Sequence, residues 1–95
     1  MTLYAVTARF KPGIGDQRDA LHVAFSDHLR QPLLHIRLVG ALCDAAGERT
    51  GILMLMEADS RDPLDHFLQM SPYGLAGLYA GIDIDALQIE AGGLI

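Results

Sequence analysis

Tryptophan is missing from this chain, cysteine and lysine occur once each, and no apolar run is long. Each scarcity closes off a class of protein. Cys43, as the sole cysteine, cannot form an internal disulfide, so a reducing cytoplasm is the expected setting. Lys11 is the sole lysine and the net charge is −5, which leaves no basic stripe to neutralise phosphates. Nucleic acid is therefore not an expected partner. The longest apolar stretch, "GILMLM" from Gly51 to Met56, is of strand length, far short of the roughly 20 residues that cross a bilayer as a helix. No membrane association is expected. The opening "MTLYAVTARF" has no basic leader and alternates like a strand, which argues against a signal peptide.

What is present reads as one domain over 1–95. A chain this short buries only somewhat more than about 60% of its unfolded surface, so its core is thin and help from a partner subunit is plausible. Thr2 to Phe10 alternates, with Tyr4, Val6, Ala8 and Phe10 on one face and Leu3, Ala5, Thr7 and Arg9 on the other. "KPGIGD" breaks that strand, and Asp16 is the expected N-cap of a helix whose stripe is Leu21, Ala24, Phe25, His28 and Leu29. Pro32 is expected to close it. Ile36 to Leu42 reads as a second strand, with Ile36, Leu38, Gly40 and Leu42 on one side, followed by a hairpin connection at "DAAGER". The third strand, Thr50 to Ala58, is apolar at five consecutive positions, Ile52 to Met56, so neither of its faces is expected to meet water. Asp62 or Ser60 caps a short second helix carrying Leu64, Phe67 and Leu68, which ends near Ser71-Pro72. Ile82 to Glu90 supplies the last strand.

The order β-α-β-β-α-β predicts an α+β, ferredoxin-like sandwich: a four-stranded antiparallel sheet with two helices on one face. The other face, with Leu3, Ala5, Thr7 and part of the third strand, is left bare. A homodimer whose sheets pack face to face covers it.

Several segments resemble one known family. "YAV" leading to "KPG", the pair His28-Leu29, "LVGAL", "GILMLMEAD" and above all "SPYGLAGLY" look like the YciI-related (YCII) proteins of the dimeric α/β barrel superfamily. Pro72, Tyr73, Ala76, Gly77 and Leu78 match the family's Asp-Pro-Tyr and Ala-Gly-Leu in order and spacing. The resemblance implies a ferredoxin-like fold, a dimer, and a site centred on a histidine and an aspartate. By position the histidine is His28, whereas the aspartate is replaced by Ser71 and the arginine three residues before the histidine by Phe25.

Taken on their own, the same residues allow more than one role. His28 shares a stripe with Leu21 and Phe25, so it is either a satisfied structural residue or a partly buried general acid-base. Asp27 is about 100° away around the helix and a poor partner for it; Ser71 can hydrogen-bond the ring. Tyr73 offers a ring with a hydroxyl, and Gly74 and Gly77 either admit a ligand close to the backbone or only serve the connection's geometry. Arg9 and Arg37 are either exposed strand ends or a cationic lining for an acidic ligand. Cys43 reads as a small core hydrophobe in preference to a nucleophile, having no neighbouring His or Cys in sequence, and Met54 and Met56 read as packing. His22, His35 and His66 show no tight ligand spacing, so no metal site is expected.

These residues predict an enzyme of lyase, isomerase or hydrolase type, acting on a compact anionic or aromatic metabolite. His28 would be its acid-base, Ser71 and Tyr73 its hydrogen-bonding groups, Arg9, Arg37 and Gly77 further substrate contacts, and no cofactor would be needed. The alternative is a non-catalytic ligand-binding or structural homodimer in which the change to Ser71 marks a degenerate site. A monooxygenase of the same superfamily is disfavoured by the scarcity of aromatic residues.

Overall fold

The computed structural model describes residues 1–30 and 35–93. Along the chain run β1 (Thr2–Phe10), α1 (Gly15–His28), β2 (His35–Cys43), β3 (Arg49–Ala58), α2 (Asp62–Gln69), the short α3 (Pro72–Leu75) and β4 (Tyr79–Ala86). The sheet order is β2-β3-β1-β4 with every neighbouring pair antiparallel. β3 thus separates two strands, β1 and β2, that run in the same direction, which is the split arrangement of the ferredoxin-like fold. Among the described residues no helix is long and apolar enough to cross a membrane.

Alternation decides which side chains meet the helices. Tyr4, Val6 and Ala8 of β1, Ile52, Met54, Met56 and Ala58 of β3, and Ile84 of β4 are buried on the inner face. Phe25 of α1, Leu64, Phe67 and Leu68 of α2, Tyr73 of α3 and the following Leu78 close over them. Each large apolar side chain removed from water there contributes about 1.5–3 kcal/mol. On the outer face Leu3, Ala5, Thr7, Leu53 and Leu55 stay only half-buried, with no helix over them among the described residues.

Six expectations need correction. The alternation of β2 is interrupted by a bulge: Ile36 pairs with Met56, but Leu38 pairs with Leu55, so Arg37 is the extra residue and the faces exchange there. Ile36, Val39 and Ala41 consequently face the helices, whereas Leu38, Gly40 and Leu42 face outward. β4 begins at Tyr79, not Ile82, because β1 continues to Phe10 and pairs with Tyr79 past an irregularity at Arg9/Phe10. It ends at Ala86, after which the Leu87 amide donates once more to the Leu3 carbonyl at 2.8 Å. α1 starts at Gly15 behind Ile14 without any side-chain cap, and Asp16 lies inside its first turn, where a carboxylate complements the helix dipole. α2 follows Arg61, not an Asp62 or Ser60 cap, and has Pro63 at its start. Cys43 is exposed at the end of β2 and is no core hydrophobe. Of the stripe expected on α1, only Phe25 is buried, Leu21, His28 and Leu29 are half-buried and Ala24 is exposed. Pro32 lies outside the described residues.

Candidate functional site

α1 does not seal against the β2-β3 half of the sheet. Between them lies an open hollow of about 180 Å³. Its apolar surface comes from Phe10, Phe25, Ile52 and Tyr73, with Val39 and Ala41 on the β2 side. Polar side chains enter from α1, where Arg18, His22 and Ser26 each follow the last by four residues and so share one helix face. Arg49, at the start of β3, completes the rim.

The aromatic side is a connected stack. Tyr73 lies on Phe25 with ring centroids 4.4 Å apart, meets Phe10 edge-on at 5.4 Å, and Phe10 in turn stacks on Tyr79 at 5.8 Å. The cationic side is anchored too. Arg18 donates from Nη1 to the Arg49 carbonyl at 3.0 Å and from Nη2 to Asp19 Oδ1 at 3.2 Å, and only 12% of its side chain is exposed. Burial raises the Tyr73 phenol above its ordinary pKa, and the positive charges of Arg18 and Arg49 oppose that rise. The phenol is therefore protonated near neutral pH and lies within electrostatic reach of both guanidinium groups.

Tyr73 owes its orientation to Ser71. That side chain is wholly buried; its hydroxyl donates to the Leu68 carbonyl at 2.6 Å and accepts from the Gly74 amide at 3.1 Å, capping α3. Tyr79 Oη lies 3.4 Å from the same oxygen. Burial pushes the Tyr79 pKa up to about 12 although the Ser71 hydroxyl favours ionisation. After α3, Gly77 turns through φ +71°, the Leu78 amide bonds back to the Tyr73 carbonyl at 3.0 Å, and the Leu78 carbonyl accepts from the Lys11 amide at 2.8 Å. The glycine-rich segment is thereby tied at one end to α2 and at the other to β1.

The residues anticipated from sequence are distributed over three places. Tyr73 lines the hollow and Ser71 supports it from behind. His28 lies between α1 and α2, with Nε2 2.9 Å from the Phe67 carbonyl and its ring stacked on Phe67 at 4.4 Å; it is not part of the hollow's lining. Gly77 borders a separate depression of about 350 Å³ beside Gly74 and Tyr79. Arg9 is exposed on the outer face, and Arg37 pairs there with Glu57 at 2.7 Å. Arg18, His22, Ser26 and Arg49 were not anticipated as site residues. The four-residue spacing of Arg18, His22 and Ser26 was the available signal, and only the course of α1 over β2 gives it meaning. Among the described residues no cluster of His, Cys, Asp and Glu could hold a metal ion.

Neither a protein-family model nor a curated protein sequence matches the chain. Solved structures do. The 5-chloro-2-hydroxyhydroquinone dehydrochlorinase TftG from Burkholderia phenoliruptrix AC1100, in complex with 2,5-dihydroxybenzoquinone, is similar with a TM-score of 0.82 and 24% identity over 90% of this chain and 93% of that one. Rv0793 from Mycobacterium tuberculosis gives a TM-score of 0.56 at 21% identity, over 96% of this chain and all of the other. A candidate antibiotic biosynthesis monooxygenase from Chloroflexus aurantiacus J-10-fl gives 0.53 at 16%, over 98% and 99%. The likenesses show the fold: a ferredoxin-like α+β sandwich.

Proposed function

We propose that this chain is a YciI-like enzyme that moves a proton on a hydroxylated, single-ring metabolite bound between α1 and the sheet. One observation carries the reading: Arg18, His22, Arg49 and Tyr73 converge on a single hollow backed by aromatic rings. Its size is apt, since an apolar cavity of about 150 Å³ accommodates benzene. The dehydrochlorinase whose structure is similar binds 2,5-dihydroxybenzoquinone, a ring of this size.

The chemistry follows from the charges. His22 takes the proton of a ring hydroxyl, and the electron pair left on that oxygen is stabilised by Arg18 and Arg49 through charge-assisted hydrogen bonds. Tyr73, kept protonated by burial, adds a donor. Returning the proton to a ring carbon completes a tautomerisation; loss of an anion and a proton from the tautomer would make the reaction an elimination. His28 and Ser71, the pair suggested by family position, act in this reading as positioning residues. His28 ties α1 to α2 through the Phe67 carbonyl, and Ser71 fixes α3 under Tyr73.

A homodimer through the outer sheet face belongs to the same proposal, because no helix among the described residues covers the half-buried Leu53 and Leu55. So does a cytoplasmic setting, since Cys43 is an exposed free thiol of the kind a reducing compartment preserves.

The test is deuterium exchange from heavy water into the ring positions of 1,2,4-trihydroxybenzene, followed by proton NMR against a protein-free blank. The native chain should accelerate exchange, and His22→Asn should lower the acceleration about a hundredfold or more, the range expected for loss of an acid-base, while calorimetric binding of 2,5-dihydroxybenzoquinone persists. Binding without any acceleration by the native chain would favour the non-catalytic ligand-binding reading. Equal acceleration by native and His22→Asn proteins would remove His22 from the mechanism.

A further inference from the structure

A second hollow adjoins the one under α1. This outer hollow, of about 450 Å³, lies against the β1-α1 turn and the β2-β3 hairpin, and the two share Phe10, Arg18 and Arg49 as a common wall. A single ring needs only the inner one.

The charges around the outer hollow run against the chain's own trend. The chain carries a net charge of −5 and only seven basic residues, yet three of them, Lys11, Arg18 and Arg49, border this space. Two carboxylates, Asp44 and Glu48, border it as well. Asp44 keeps its charge, and its Oδ1 accepts from the Ala46 and Glu48 amides at 2.9 and 3.0 Å and so holds the hairpin turn. Arg18 is held in place by the Arg49 carbonyl and needs little reordering to meet a ligand. Cations gathered in a cleft with low-dielectric walls raise the local concentration of anions.

We infer that the natural ligand is an aromatic ring bearing a short carboxylate arm, the ring lying in the inner hollow and the arm crossing Arg18 and Arg49 to end near Lys11. This rests on the reading of the inner hollow as the ligand site, and it narrows the substrate class. The planar carboxylate suits the guanidinium fork, and the Lys11 ammonium supplies a point charge beyond it. Asp44 and Glu48 limit the outer hollow to one acidic group.

Isothermal titration calorimetry with 3-(4-hydroxyphenyl)propionate, its uncharged counterpart 4-ethylphenol, and 2,5-dihydroxybenzoquinone decides it. The propionate should bind at least about tenfold more tightly than 4-ethylphenol, and that advantage should shrink in high salt, as screening of a partly exposed pair requires. Lys11→Met should cut the advantage at least threefold and leave 4-ethylphenol unchanged; Lys11 contacts the fold through its backbone amide, which the substitution keeps. Equal binding of propionate and 4-ethylphenol, with the quinone still bound, would overturn the two-part ligand alone. An equal loss for the propionate and 4-ethylphenol in Lys11→Met would overturn it too. Failure of all three to bind the native chain would overturn both this inference and the ligand site beneath it.

Discussion

At Ser71 a single hydroxyl has three neighbours: it donates to the Leu68 carbonyl, accepts from the Gly74 amide and lies 3.4 Å from Tyr79 Oη. Ser71→Ala removes the cap and leaves buried polar groups without a partner, at a cost of about 1–2 kcal/mol in urea unfolding. Ser71→Asp should cost more. An ionised carboxylate still accepts from Gly74 but has no proton for the Leu68 carbonyl, so two acceptors face each other in a site without water access. A Ser71→Asp protein as stable as the native one would refute this account of why serine stands there. Tyr79 carries a pH prediction. Its pKa is about 12 folded against 10.0 when exposed, so below pH 10 both states are protonated and its contribution is fully present. Between pH 10 and about 12 the unfolded chain ionises and the folded one does not; stability falls by up to about 1.4 kcal/mol per pH unit. Urea midpoints measured at pH 9 and pH 11 should show a smaller drop for Tyr79→Phe than for the native chain.

At the scale of elements, α3 is set by how closely it approaches α2. A Cβ on Gly74 would collide with the Leu68 carbonyl oxygen and lie 2.7 Å from that of Gln69, both backbone atoms that cannot swing aside. Gly77 poses a different constraint, with φ +71° but open space where a Cβ would go. Gly74→Ala should therefore destabilise by about 1–3 kcal/mol through overpacking, and Gly77→Ala by about 1 kcal/mol through backbone strain alone. Only the first should also disturb the near-ultraviolet circular dichroism of Tyr73, because only it displaces α3. Identical costs with unchanged aromatic spectra would mean that α3 has room to move. "SPYGLAGLY" was legible in the sequence as a structured segment; that Gly74 answers to a carbonyl on the preceding helix was not, since sequence spacing says nothing of how two helix ends meet.

For the whole molecule, the outer sheet face is the test. It joins Leu3, Ala5, Leu53 and Leu55 in the middle, with Arg37 and Glu57 paired toward one edge and Asp83 and Asp85 on β4 at the other. The face-to-face dimer should sediment at about twice the 10.3 kDa chain mass at micromolar concentration. Leu55→Glu, which adds a charge to that face without touching the inner core, should yield a folded monomer with native circular dichroism. A native chain that sediments as a soluble monomer would sink the dimer.

The order of the four strands and the two longer helices, and with it the ferredoxin-like fold, was determined by the sequence alone, because period-two and period-3.6 patterns separated by turn residues are local properties; the short α3 was not among them. The continuous apolar run of β3 belongs to the same category: it fixed a strand with two apolar faces before any partner was considered. Tertiary structure decided the face assignments of β2, since one bulge at Arg37 exchanges inside and outside for every residue after it. It also decided the site. The Arg18, His22 and Ser26 row gains a purpose only where α1 lies across β2, and Arg49, 31 residues along the chain from Arg18, reaches it through the return of β3. His28 and His22 differ by less than two helical turns, yet one faces α2 and the other the hollow, and the packing angle of a helix on a sheet is a property of neither residue.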